Sequence, residues 1–351
     1  MLKVGIIGAG SIIKVHLDSY SQNPQVQIVA IADLNEKLAK EKAEAYKIPN
    51  YYSDYRKILE NKEIDAVSIA TPTFTHCQIV IEALKSGKHV LCEKPPALNV
   101  KEVELAVSTA QETGKLLMWE LPCRFMQQIQ FLKKHIDSGN MGEIIHAEAC
   151  RINRYSAIGG WFANKEKAGG GTLIDATIHQ IDEIMYLMGY PKIKTVVGIS
   201  TDINNDLAGK LKGRNPGWKS ADTNTYERTI ESMASGYVTF DNGASLYIKS
   251  SAITYSIPEG NHIDLIGSNG GAHLDNNNEL TLLSNMYDYM VDSKPNIYTR
   301  NTMFEDAINH FVDCCLNNTK CICEAWQGIE LMKIIEGIYK SAETGKPVIY
   351  E

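Results

Sequence analysis

The chain has 351 residues, with 35 Lys+Arg against 42 Asp+Glu for a net charge of −7, and 44% hydrophobic and 22% charged residues. At about 150 residues per domain this is enough chain for two hydrophobic cores without disulfide or metal staples, and the composition excludes a disordered, collagen-like or coiled-coil protein. The mild acidity argues against non-specific nucleic-acid binding and a basic membrane patch, and no uncharged apolar run reaches the ~18 residues of a membrane span.

Residues 1–13 superficially resemble a short signal peptide. Glycines interrupt the apolar run and no small-residue cleavage site precedes Lys14, so a first strand is expected instead. Strands are predicted at 3–7, 27–32, 66–70, 89–92 and 116–119, with helices at 12–21, 35–47, 76–86 and 100–113 between them. This alternation implies βαβ units and an α/β, doubly wound parallel sheet over a first domain, 1–121. The strands are almost wholly apolar, as sheets covered on both faces require.

Past residue 121 the pattern changes. A helix (125–138), a strand (143–153), a glycine-rich loop and a helix (172–188) precede strands at 193–201, 226–240, 244–251, 261–267 and 280–283. Asp241-Asn242-Gly243 is a hairpin turn. Helices at 303–316 and 325–341 end the chain. The expectation is an α+β second domain, 122–351, with a large, mostly antiparallel open sheet and C-terminal helices free to pack back on the first domain. Residues 204–221 and 288–300 read as long loops.

Gly8-Ala9-Gly10-Ser11-Ile12-Ile13 lies between the first strand and first helix. There Gly8 can make the tight turn and Gly10 lets backbone N–H groups approach a pyrophosphate, with Ser11 and Ile12 opening the helix. Ile13 stands where a third glycine is usual. Asp33, 33 − 8 = 25 residues after Gly8, is placed to accept the adenosine-ribose hydroxyls and to repel a 2′-phosphate. NAD is therefore expected over NADP. The alternative role for Asp33 is capping the next helix.

Three further segments carry a resemblance: Glu93-Lys94-Pro95-Pro96 at a strand end, Thr71-Pro72-Thr73-Phe74-Thr75-His76, and Gly169-Gly170-Gly171 leading into Asp175 and His179. Together with Arg124-Phe125 and Gly139-Asn140-Met141-Gly142-Glu143-Ile144, they resemble the signatures of the Gfo/Idh/MocA family of oxidoreductases along essentially the whole chain. The resemblance implies an NAD-dependent enzyme that moves hydride between nicotinamide and a secondary alcohol of a sugar, polyol or derivative. It implies cofactor contacts from Thr71, Pro72, His76, Glu93 and Lys94, and a cis Lys94–Pro95 bond. Lys94 and His179 would serve the reacting hydroxyl, with Asp175, one helical turn from His179, orienting substrate or imidazole.

Arg124, Tyr155 and Trp161 are the candidate substrate contacts, Trp161 being equally readable as packing. His16 and His89 read as structural. No metal is expected: Cys314-Cys315, Cys321-Ile322-Cys323 and His310 do not follow zinc-knuckle spacing, and adjacent helical cysteines diverge by about 100°. The eight cysteines suit reduced thiols in the cytoplasm. A small carbohydrate or polyol is the expected partner, with no nucleic acid or membrane, and a homodimer or homotetramer through the open sheet face. Two other readings stay open: a net non-redox reaction through transient oxidation, such as glycoside cleavage, and a non-catalytic NAD-binding sensor.

Overall fold

The computed structural model describes residues 1–153, 159–202, 227–255, 259–298, 300 and 302–351. The chain begins with β1 (Leu2–Ile7), α1 (Ile13–Gln22), β2 (Val26–Ala32), α2 (Glu36–Tyr46), β3 (Asn50–Tyr52) and α3 (Arg56–Glu60). It continues with β4 (Ala66–Ile69), α4 (Thr73–Lys85), β5 (His89–Glu93), α5 (Val100–Thr113) and β6 (Leu117–Glu120). These strands form a parallel six-stranded sheet in the order β3-β2-β1-β4-β5-β6. The connections reverse direction between β1 and β4, the point where such sheets bind ligands at the strands' carboxyl ends. Capping follows local sequence: Asn35 and Asn99 accept from the N–H groups of Leu38 and Glu102 at 3.3 and 3.0 Å, fixing the starts of α2 and α5.

Next come α6 (Gln127–Asp137), β7 (Ile144–Ile152), α7 (Lys165–Ala168), a π-turn (Leu173–Thr177) and α8 (Ile178–Met188). Then follow β8 (Ile193–Thr201), β9 (Met233–Phe240), β10 (Ser245–Ser251), β11 (Gly260–Gly267), β12 (Gly271–Leu274), β13 (Leu280–Met286) and β14 (Tyr289–Ser293). The chain closes with α9 (Met303–Asn317), α10 (Gln327–Thr344) and β15 (Val348–Ile349). Among the described residues the second sheet has nine strands, β14-β13-β12-β11-β7-β10-β9-β8-β15, antiparallel except between β7 and β10. One face is covered by helices. Gly198 and Gly236 make room for Ile338 of α10, to which an added Cβ would come within 2.6 and 2.5 Å. The other face is open, with Val197 45%, Ile199 58% and Tyr237 45% exposed.

The C-terminal helices lie against the first sheet's layer. Asn23 donates to Asn309 on α9 at 2.7 Å, and the Val100 N–H donates to Glu336 on α10 at 2.9 Å. The edge strand β6 is closed by a bridge from Met118 to Glu324, and Trp119 Nε1 donates to the Ala325 carbonyl at 2.8 Å. Among the described residues no helix is long and apolar enough to cross a membrane.

Several expectations need correction. Elements as short as β3 and α3 show no usable period, and the sequence pattern misses both. The expected loop 288–300 contains β14, which pairs as the outermost strand through Met286–Tyr289 and its neighbours. The strand expected at 226–240 starts only at Met233; residues 227–232 are irregular and residue 226 lies outside the described residues. The 204–221 segment is also outside them.

Candidate active site

The first half of the site is made by backbone. After β1, Gly8 has φ +101°, and a Cβ there would lie 2.3 Å from the Ala70 carbonyl oxygen at the end of β4. Only glycine permits both the conformation and the approach. Gly10 has nothing within 4 Å of its would-be Cβ, so its backbone faces open space. Beyond it α1 begins with no side-chain cap and no acidic residue in its first turn, so the positive end of its dipole is available to an anion. Ser11 is exposed and Ile12 half-buried at that end.

Asp33, after β2, accepts from the Ala9 N–H at 2.7 Å and the Asn35 N–H at 2.8 Å. The cap of α2 is Asn35, so the capping alternative for Asp33 is not what the structure shows. Its neighbour Leu34 is 94% exposed, an apolar surface beside the carboxylate. An open glycine, an uncapped helix start, a carboxylate and an exposed leucine fit a dinucleotide.

Thr71 and Pro72 follow β4, and His76 on α4 staples this loop to the next one. Its ring nitrogens lie 2.8 Å from the Thr71 and Pro95 carbonyl oxygens. The ring is buried, which pushes its pKa below the ordinary imidazole value. Glu93 turns inward rather than toward the loop. Its Oε1 is 2.9 Å from His16 Nε2, whose Nδ1 is 2.8 Å from Ser68 Oγ, and its Oε2 accepts from the Lys94 N–H at 3.2 Å. Glu93 thus anchors Lys94 from behind, and a direct cofactor contact from its carboxylate is not what the geometry offers. The Lys94–Pro95 peptide is cis.

The second half comes from the segment ahead of α8. The periodicity suggested continuous α-helix from residue 172, but Leu173–Thr177 forms a π-turn, a feature common at functional sites. Within it Lys94 Nζ donates to the Asp175 carbonyl at 2.6 Å and to Asp175 Oδ1 at 3.1 Å. Thr177 ties the turn to β10, donating to Ser250 Oγ at 2.7 Å. His179 follows, half-buried, with Nδ1 enclosed and lacking a hydrogen-bond partner among the described residues. Burial, then the charges of Lys94 and Arg151, hold its pKa well below the ordinary value, so the ring is neutral at pH 7. Lys94, Asp175 and His179 therefore share one locality.

Two residues of the site, Glu231 and Glu183, are not anticipated by the sequence. Glu231 is buried and accepts from the Gly171 and Leu173 N–H groups at 2.6 and 3.1 Å and from Tyr339 at 2.9 Å. A Cβ on Gly171 would meet the Glu231 carbonyl oxygen at 2.5 Å, and one on Gly170 would meet the Tyr339 hydroxyl at 2.2 Å. These two glycines make room for the Glu231–Tyr339 anchor, not only for a ligand. Nothing local in the sequence points to Glu231, which lies 60 residues downstream. Glu183, one turn past His179, is buried and pushed up to about 8, so it is mainly protonated at pH 7. Arg151 on β7 has a buried Nε without a partner among the described residues.

Arg124 requires a correction. It is fully buried, and all five guanidinium N–H groups are used. Asp182 takes two at 2.9 and 2.5 Å, Gln327 one at 2.6 Å, and Tyr190 and the Ile322 carbonyl the others. No donor remains for substrate. Trp161 stacks on Phe162 with centroids 3.7 Å apart, in a short turn packed against α7. Tyr155 lies outside the described residues.

A model described as "Oxidoreductase family, NAD-binding Rossmann fold" matches residues 2–121, and its companion "Oxidoreductase family, C-terminal alpha/beta domain" matches 133–349. The chain is 32% identical to D-glucoside 3-dehydrogenase of Escherichia coli K12, over 99% of this chain and 97% of that protein. It is 27% identical to scyllo-inositol 2-dehydrogenase (NAD(+)) of Bacillus subtilis, over 90% and 86% of the two chains. In fold it resembles levoglucosan dehydrogenase solved with NADH, with a TM-score of 0.86 and 21% identity over 100% and 99% of the chains.

Proposed function

The chain belongs to the Gfo/Idh/MocA oxidoreductase family and is an NAD(P)-dependent dehydrogenase; from that premise we propose that it oxidises a ring secondary alcohol of a sugar or cyclitol derivative, with NAD as its preferred cofactor. The observation that carries this reading is the Lys94 ammonium, clamped by Asp175 and acting electrostatically on the imidazole of His179, whose Nδ1 has no hydrogen-bond partner among the described residues. The names of the glucoside and inositol relatives support a ring hydroxyl as the reacting group.

Gly8, Gly10 and the start of α1 hold the pyrophosphate, and Asp33 the adenosine ribose. When bound, the nicotinamide supplies the hydride acceptor. Lys94 donates to the substrate oxygen and stabilises the negative charge that develops there. Neutral His179 accepts the hydroxyl proton, and Asp175 fixes where the ammonium sits. A second copy on the open sheet face accounts for the exposed Val197, Ile199 and Tyr237. Eight free thiols suit a cytoplasmic setting.

The test is NADH formation over inositols, aldoses, glycosides and sugar acids. Lys94→Ala and His179→Ala should each lower kcat by ~10²-fold or more, with NAD affinity retained. Near-normal turnover removes that residue from the mechanism. Because His179 is held neutral, the acid limb of kcat/KM should fall below the ~6.5 of free imidazole. Higher kcat/KM with NADP would overturn the role given to Asp33. Turnover of an aryl glycoside without net NADH would replace net oxidation by transient oxidation.

A further inference from the structure

Away from the cleft, His310 and Cys314 on α9 and Cys321 in the turn before α10 bring a ring nitrogen and two sulfurs within 4.8 Å of one another. His310 and Cys314 are one helical turn apart and face the same side. The turn after α9 folds back so that Cys321 meets them. The divergence of adjacent helical cysteines removes Cys315 from this group but does not touch Cys321, which approaches from another element.

The spacing suits a metal. With Zn–S ≈ 2.3 Å and Zn–N ≈ 2.0–2.1 Å, a tetrahedral site has a sulfur–nitrogen edge of about 3.6 Å and a sulfur–sulfur edge of about 3.8 Å. Cys314 Sγ lies 3.5 Å from His310 Nε2. The Ile322 N–H donates to the same Nε2 at 3.1 Å, so this nitrogen carries a lone pair and the ring proton sits on Nδ1. That is the tautomer a metal requires of Nε2, and a bound metal would take that lone pair and displace the Ile322 N–H from it. Both thiols are buried while His310 is half-exposed, which leaves the histidine side as the path from solvent.

We propose that His310, Cys314 and Cys321 bind one thiophilic divalent cation of the zinc class, with water in the fourth position. Binding replaces two S–H bonds with two metal–thiolate bonds and releases the two protons to solvent. Ile322 links this site to the interior, because its carbonyl accepts from Arg124, which also pairs with Asp182 on α8. A bound ion would thus fix the turn on which Arg124 rests.

The test uses the full chain, reduced and stripped with chelator, titrated with cobalt(II). The expected result is uptake of one equivalent with a thiolate-to-cobalt charge-transfer absorption, abolished by one equivalent of zinc. Cys314→Ser and Cys321→Ser should each lose that absorption while keeping the circular dichroism of the parent. If either serine variant fails to fold, loss or retention of the band in His310→Gln decides instead. Cys150→Ser, in the separate Glu148–Cys150–His262 group on the sheet, should leave it intact. No absorption at one equivalent, its persistence when Cys314 and Cys321 are both serine, or its loss only in Cys150→Ser overturns the proposal.

Discussion

The two sheets differ in how many of their faces are buried. Every residue of β4 is buried, and β1 is nearly so, because helices cover the first sheet on both sides. In the second sheet β8 and β9 alternate, with one face under α10 and the other open. In the first sheet a side chain has no free direction, so errors there should cost stability. In the second, half the side chains point outward, so errors there should cost assembly.

Arg124 sits where the two layers meet and gives the largest expected effect. Arg124→Met leaves Asp182 as an uncompensated buried charge, a loss of about 3–5 kcal/mol and roughly 10 °C in Tm. Adding Asp182→Leu should restore part of it. Thermal melts of the three proteins check this. An Arg124→Met protein with parental Tm and a raised KM would return Arg124 to the substrate site and erase the distinction between strut and contact.

The glycine loop sharpens the comparison inside the first sheet. Gly8→Ala forces a side chain onto φ +101° and into the Ala70 carbonyl, which should cost about 1–3 kcal/mol from backbone strain alone. Gly10→Ala meets nothing, so its Tm should stay within about 0.5 kcal/mol equivalent of the parent while NAD affinity falls. Melts with and without NAD separate the two. Equal Tm losses would show that Gly10 is structural.

These glycines also mark what the sequence could reveal. The β1–Gly8–Gly10–α1 junction is local, and apolar runs between helical periods are enough to place it. Asp175 was expected to orient substrate or imidazole; that it grips Lys94, 81 residues away, is set by how the layers dock, which no local period encodes. Asp175, His179 and Asp182, spaced four and three residues apart, show the same limit. Periodicity puts them on one side of a helix, but the π-turn and Arg124 divide them, so Asp175 meets Lys94 while Asp182 serves a buried ion pair. Glu231 had no local signal because its partners are backbone N–H groups in a distant turn.

Glu120 tests the two-sided burial of the first sheet through pH. Both carboxylate oxygens are enclosed without a partner among the described residues. Burial, then the charge of Glu93, raises its pKa well above 4.5. In the folded protein it stays protonated at pH values where the unfolded chain has ionised, so it binds more protons folded than unfolded. Stability therefore falls as pH rises above 4.5, by at most about 1.4 kcal/mol per unit. Glu120→Gln removes that slope: its Tm gain over the parent should grow from pH 5 to pH 8. A gain independent of pH would mean that Glu120 is charged in the fold.

The open face of the second sheet supplies the smallest effect on the fold. Ile199 is 58% exposed beside Val197 and Tyr237, opposite the side on which Gly198 packs against Ile338. A charge placed there removes no buried contact within the subunit, so Ile199→Glu should change monomer stability by no more than about 0.5 kcal/mol. If a second copy covers this face, the same substitution buries a carboxylate against apolar surface, and light scattering should show a shift to a smaller species. A large Tm loss without a change in mass would mean that Ile199 packs within its own chain, and a change in neither would leave the face free of any copy. The contrast with Gly8 would then be between a backbone held at φ +101° against the Ala70 carbonyl, which resists any side chain, and an exposed strand position, which tolerates a new one.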